Sequence, residues 1–428
     1  MSTHEVKEAR GLIGECDAPG SVEISLMALA FAAKTLGDSE IRRCSLRPDA
    51  IAMVSALEAL GVKIKRSKAG VTVTGGAIKA ADDVLEIGSS EMFLGCLSGV
   101  VAGANFRTKF NGSANATEVI AALQALSARI DTPVEATYPL TVGGRDLKAN
   151  THQIVEPDSA VKAAFFLAGL DTSEAVRLDQ SAAGDDDLEF LLDAAEVDFE
   201  KTKEVGKDGY HLCLASAQVP KPVVHDLPGD PDAALYLLGT AAMLQRSDLI
   251  VHYVGNDWKT RRALELLRRL NAQLEIQVTR SESKFAIRTV KVRGSELRRT
   301  RMGGDQTALF LDEVPFLAVL GTQAAGETVI RDAEVLRQGP VDRLALVIEN
   351  LRQMGVKVGE MPDGLVVQGP VKLQGAEVDA GGDSQVGLAF ALAGLAAEGE
   401  TQVVNFGSMA EDYVELFTCL SSVVKQKG

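Results

Sequence analysis

The residue types that most often carry chemistry are present in this chain, but few stand at working spacings. Five cysteines (Cys16, Cys44, Cys96, Cys213, Cys419) and five histidines (His4, His152, His211, His225, His252) are scattered, and no Cys-x-x-Cys pair occurs. A metal site needs several such ligands at set spacings, so the thiols read as small buried hydrophobes and the imidazoles as surface or core groups. Ser21 and Ser25 follow a Pro-Gly turn, yet no His or Lys lies close by in sequence to activate a hydroxyl. Gly303–Gly304 lacks the strand-to-helix context of a dinucleotide loop. No metal and no cofactor is expected. Asp312 precedes the apolar run from Val314 and has the form of a helix N-cap. Arg343 stands near Asp342 and Glu334, its expected partners on a solvated face. Arg288, Lys291, Arg293, Arg298, Arg299 and Arg301, with Lys259, Arg261, Arg262, Arg268 and Arg269, form a basic stretch. It reads as a solvated strand and helix face, or else as a patch for an acidic protein partner.

The elements that would position these groups repeat. Amphipathic helices end in two apolar residues three apart, then one small or polar residue, then a short strand. Examples are Leu57, Leu60, Gly61, Val62 and Leu123, Leu126, Ser127, Ala128, with Leu267, Leu270, Asn271, Ala272 and Leu351, Met354, Gly355, Val356. A looser copy runs Leu191, Leu192, Ala195, Glu196, Val197, and a sixth runs Phe417, Leu420, Ser421, Val423. The markers are therefore residues 61, 127, 196, 271, 355 and 421. Before each comes an almost wholly apolar helix candidate: Met27–Leu36, Met92–Ala102, Ala163–Leu170, Ala233–Leu244, Val314–Ala325 and Val386–Ala397. A helix apolar all round is buried on all sides, and one unit cannot cover its own apolar face, so the copies must pack together. Three copies per domain close such a cluster. The turn-rich stretch from His225 to Pro231 marks the main crossing between domains.

The chain has 428 residues, 46% of them hydrophobic, enough for two large cores. Its net charge of −15 argues against nucleic acid or an anionic membrane as partner. No signal segment is evident and the longest apolar run is too short to span a bilayer, so a cytoplasmic globular protein is expected.

Six units split three and three resemble the enolpyruvyl transferase fold: α/β, with two inside-out barrel-like domains, each of three βαβαββ units, around a cleft. Local segments resemble the 5-enolpyruvylshikimate-3-phosphate synthase family. Ala18–Pro19–Gly20–Ser21 is similar to its opening P-G-S-K-S. Leu311–Asp312–Glu313–Val314–Pro315 resembles D-E-I-P, Gly326 to Ala333 resembles G-x-T-x-I-R-D-A, and Arg337 to Arg343 resembles R-V-K-E-S-D-R. Asp412–Tyr413 with Leu416 resembles the closing D-Y-F-x-x-L. The resemblance implies domains at 19–226 and at 1–18 with 227–428. It also implies transfer of the enolpyruvyl group of phosphoenolpyruvate to shikimate 3-phosphate, a step of aromatic amino acid biosynthesis.

Carried over residue by residue, the resemblance gives an incomplete site. Asp312 takes the acid/base position and Arg343 a phosphoenolpyruvate-binding one, with Arg337 and Asp342 beside them. Ser159 falls in the phosphate-binding triplet S-A-Q. Elsewhere the family's Lys and Arg positions hold Val22, Met27, Gly95, Ala114, Asp185, Gly339, Gln385 and Ser408, and its catalytic Glu is Pro340. No Lys or Arg lies between Gly14 and Lys34, nor between Lys79 and Arg107. Two phosphates and a carboxylate repel one another unless cations compensate. The expected function is thus a binding or scaffold protein, non-catalytic for the family reaction, with a small ligand in the cleft or a protein on the basic surface. The alternatives are an active 3-phosphoshikimate 1-carboxyvinyltransferase, or a same-fold transferase with a non-anionic substrate suggested by Glu23, Glu91 and Asp185.

Overall fold

The computed structural model describes residues 3–67, 69–134, 136–144, 146–155, 158–182, 184, 186–204, 208–216, 218–280 and 286–426. The chain divides into two compact units. Unit one holds Met1–Pro19, Gly229–Thr279 and Ile287–Gly428, and unit two holds Gly20–Pro228 with Arg280–Ala286.

The marker residues explain how each amphipathic helix stops. Gly61, Ser127, Glu196, Asn271 and Gly355 all have a left-handed backbone, with φ of 88°, 62°, 54°, 68° and 86°. In each case the next residue's N–H reaches back to the carbonyl five residues earlier: Val62 to Leu57, Ala128 to Leu123, Val197 to Leu192, Ala272 to Leu267, Val356 to Leu351. This is the Schellman stop, which satisfies orphan carbonyls while turning the chain into the next strand. Ser421 breaks the series: it lies inside the helix Val414–Val423, which runs directly into the strand Val424–Gln426. Glu196 is the most strained of the five, since a side chain costs about 1–2 kcal/mol in the left-handed region, and its exposed ion pair with Lys221 returns little. Glu196→Gly is therefore expected to stabilise unit two by about 1 kcal/mol, read by hydrogen exchange of its peptides in urea; a net loss would contradict the strain argument.

After each stop the strands follow one plan. In unit two the sheets read Val224–Asp226, Gly37–Arg42, Gly70–Gly75, Lys63–Ser67; then Leu85–Glu86, Arg107–Asn111, Leu140–Gly143, Ile130–Asp131; then Thr151–Ile154, Val176–Gln180, Tyr210–Leu214, Phe199–Lys203. Each has one parallel pair followed by two antiparallel pairs. Unit one repeats this in Arg301–Met302, Gly326–Ile330, Gly364–Gly369, Val358–Met361. Its other two sheets recruit the chain's beginning. Ala9–Asp17 runs parallel to Asp248–Val254, and Thr3–Lys7 pairs antiparallel with Glu400–Val404.

The apolar helices Val22–Lys34, Glu91–Val101 and Ser159–Gly169 form the centre of unit two. Pro231–Met243, Val314–Thr322 and Ser384–Ala396 do the same in unit one. Small residues let these helices approach: a Cβ on Gly95 would sit 2.3 Å from the Ala160 carbonyl oxygen. Five of the six begin with a side-chain cap, from Ser21, Ser90, Asp158, Asp230 and Asp383. Among the described residues no helix is long and apolar enough to cross a membrane.

Candidate functional site

In unit one, two segments remote in sequence bring Asp312 and Arg343 together. Asp312 does not cap the following helix as expected; Glu313 holds the cap position, without a side-chain cap bond. The Asp312 carboxylate, 60% exposed, instead accepts from Arg343 Nη1 at 2.7 Å. Arg343 opens the helix Arg343–Gln353 and also donates from Nε to Asp383, the cap of Ser384–Ala396. Its Nη2 lies 3.4 Å from Gln385 Oε1. The expected partners Asp342 and Glu334 are thus replaced by Asp312 and Asp383. Burial works against the Arg343 charge, but Asp383 and Asp312 outweigh it and raise its pKa. One guanidinium facing two carboxylates leaves a local net charge of −1.

Asp342 is used elsewhere. It caps the Arg343 helix through the Ala345 N–H and accepts from Arg337 Nη1 at 2.9 Å. Arg337 further donates to Glu360 Oε1 and to the carbonyls of Met361 and Pro362. With that many donors engaged, Arg337 acts as a brace between its turn and the strand Val358–Met361. Gly339 and Pro340 lie in the loop that follows, and Ser408 Oγ donates to Asp412.

Next to Asp312 lies a buried polar group that no spacing in the sequence suggests. Glu313, its side chain 2% exposed, accepts from Lys259 Nζ at 3.1 Å, and Lys259 also meets Asp232 at 2.6 Å. Burial and then the neighbouring Asp232 hold the Glu313 carboxyl well above the usual carboxylate range, against the pull of Lys259. Burial opposes the Lys259 ammonium too, yet Asp232 and Glu313 together raise its pKa. The Tyr236 hydroxyl is pushed up by the same burial. Lys259 had read as part of a solvated basic face; the tertiary fold turns it inward from the second position of its helix Trp258–Arg269. Three members of the rest of that face meet carboxylates: Lys291 pairs with Asp248, Arg293 with Glu275 and Arg262 with Glu265. Arg261 and Arg288 both donate to Asn256.

In unit two, Ser159 is the first residue of its helix, and the preceding Asp158 caps it through the Ala160 and Val161 N–H groups at 2.8 and 3.0 Å. Helix N-termini attract anions through their free N–H groups and dipole. Here Asp158 takes two of those groups and Ser90 and Ser21 one each, and the first turns of the latter two helices carry Glu91 and Glu23. Burial, then the charge of Asp158, raises the Glu91 carboxyl above its ordinary pKa. Ser25 is likewise structural, donating to the Ser21 carbonyl and accepting from the Ser45 N–H. Asp185 lies outside the described residues.

Among the described residues no cluster of His, Cys, Asp and Glu could hold a metal ion. His152 stacks on Phe165, His4 packs beside Phe406 and Phe417, and His211 pairs with Asp179.

Comparison with known proteins bears on the whole chain. The family model described as EPSP synthase (3-phosphoshikimate 1-carboxyvinyltransferase) matches residues 6–420. A 3-phosphoshikimate 1-carboxyvinyltransferase from Herpetosiphon aurantiacus is 33% identical over 418 residues, covering 95% of this chain and 96% of that protein. One from Brevibacillus brevis is 29% identical, covering 94% and 95%. An EPSP synthase structure from Acinetobacter baumannii superimposes with a TM-score of 0.87 at 24% identity, covering 100% of this chain and 99% of that one. The enolpyruvyl transferase NikO from Streptomyces tendae gives 0.75 at 18%, covering 98% and 96%. These two structures support a shared α/β fold.

Proposed function

This chain belongs to the EPSP synthase (3-phosphoshikimate 1-carboxyvinyltransferase) family, and we propose that it has lost the family reaction at a useful rate and serves as a binding or scaffold protein. In that reaction the hydroxyl of a phosphorylated alcohol adds to the enol carbon of phosphoenolpyruvate, a proton enters at the methylene, and inorganic phosphate then leaves. The site must hold two phosphates and a carboxylate and must move a proton. The observation that carries the reading is the cation-free sequence across residues 15–33 and 80–106, which contain the first turns of the buried helices Val22–Lys34 and Glu91–Val101. Those turns bear Glu23 and Glu91 instead. Losing one partner of a buried charged hydrogen bond costs about 2–5 kcal/mol, so a few such losses offset the roughly 8 kcal/mol of a micromolar complex.

A second reading is an active 3-phosphoshikimate 1-carboxyvinyltransferase, favoured by 33% identity over nearly the full length of a relative named for that activity. In that case Asp312 handles the proton, Arg343 turns from its carboxylates to the phosphoenolpyruvate carboxylate, and Ser159 meets a phosphate. Titration calorimetry with phosphoenolpyruvate and shikimate 3-phosphate, with an assay of phosphate release, separates the two. The first reading expects no heat, no phosphate and no thermal shift, where a ligand at 100 times its Kd would add about 2.7 kcal/mol of stability. Micromolar binding of both with steady phosphate release establishes the second.

A further inference from the structure

Of the five cysteines, Cys44 and Cys96 are buried, while Cys16, Cys213 and Cys419 are half-buried. The fold brings two of these together from opposite ends of unit one. Cys16 lies in the strand Ala9–Asp17, opposite Val251 of the neighbouring strand. Cys419 lies in the helix Val414–Val423, which packs on that strand. Both side chains rest against the same hydrophobic core. Cys419 Sγ donates to the carbonyl of Asp17, the residue next to Cys16, at 3.1 Å, and the two thiols lie close enough for each to shift the other's pKa.

We propose that Cys16 and Cys419 are a redox-modification site, a dithiol that closes to an intramolecular disulfide on reaction with a small disulfide of the glutathione class. The pair divides the two roles such a reaction needs. The neighbouring Cys16 thiol holds the Cys419 thiol below its ordinary pKa, even though burial, Glu415 and Asp17 oppose this. Cys419, with burial, pushes the Cys16 thiol up. Cys419 is therefore the sulfur that ionises first and attacks. Its thiolate displaces one glutathione as a thiolate and forms a mixed disulfide. Cys16 then gives up its proton, attacks the Cys419 sulfur and displaces the second glutathione. In sum, two protein thiols and one glutathione disulfide yield one protein disulfide and two glutathione thiols. The new bond ties the last helix of the chain to the strand that runs, through Ala18, into the boundary of the two units at Pro19.

The test uses the reduced full-length chain in glutathione disulfide, with thiols counted after denaturation and peptides mapped by mass spectrometry. Five free thiols should fall to three, a loss of two from the five in the chain, with one cross-linked peptide holding Cys16 and Cys419. Dithiothreitol should restore all five. In Cys16→Ser the reaction should stop at glutathione bound to Cys419. Five thiols remaining free in the unaltered chain, a different pair cross-linked, or glutathione persisting on Cys419 while Cys16 is present would each overturn the assignment. The count on the unaltered chain decides this even where the variant folds poorly.

Discussion

Glu189→Ala is expected to destabilise unit two by about 3–5 kcal/mol. Lys162 sits in the buried helix Ser159–Gly169 with its side chain 2% exposed, and its ammonium meets both oxygens of Glu189 at 2.9 Å. Glu189 is carried by the neighbouring helix Asp187–Ala194 and is also reached by Lys201 at 3.3 Å. Removing the carboxylate takes away the two-oxygen partner of the buried Lys162 charge, and the desolvation already incurred is less fully offset. The pair itself need not be strongly stabilising, because taking two charges from water opposes most of their attraction. Lys162→Met with Glu189→Leu should therefore recover most of the loss. Urea unfolding followed by hydrogen exchange of unit-two peptides measures both; a single-variant loss under about 1 kcal/mol would refute the argument.

The second large effect is acid sensitivity of the same unit. His225 lies on the strand Val224–Asp226, is 1% exposed, and is held by burial to a pKa of about 4 against an ordinary 6.5. A folded pKa below the unfolded one means that the unfolded chain takes up the proton first. The stabilisation is therefore complete above pH 6.5 and is lost progressively as pH falls toward 4. At about 1.4 kcal/mol per unit, the shift corresponds to about 3 kcal/mol. His152, also lowered by burial, adds to the same slope. His225→Gln should flatten most of the decline between these pH values, and an unchanged slope in that variant would show that other groups dominate.

Much of this architecture was legible because its causes are local. A Leu-Leu or Leu-Met pair three apart followed by Gly, Asn or Ser specifies a helix stop through hydrogen bonds that span only six residues, so four of the six markers follow one rule, and Glu196, in the looser copy, stops its helix the same way. Ser421 failed for an equally local reason: no left-handed residue forms there, and the helix passes straight into a strand. The wholly apolar helices were legible too, since a segment with no polar face has only the interior in which to lie. The candidate site was less so. Asp312 and Arg343 were visible by family resemblance, but their mutual contact and the role of Asp383 were not.

What the chain order alone determined is the sixfold rhythm, the two apolar centres, the acidic balance and the cation-free helix starts. These follow from residue type and short-range geometry. The tertiary structure decided which charges meet. Lys259 faces Glu313 and Asp232, Arg343 bridges Asp312 and Asp383, Lys162 meets Glu189, and Cys16 meets Cys419. Each partnership joins segments distant in sequence, and a side chain's charge state depends on what surrounds it in space. A lysine on a basic helix is identical on paper whether it points to water or to a buried carboxylate; only packing distinguishes the two.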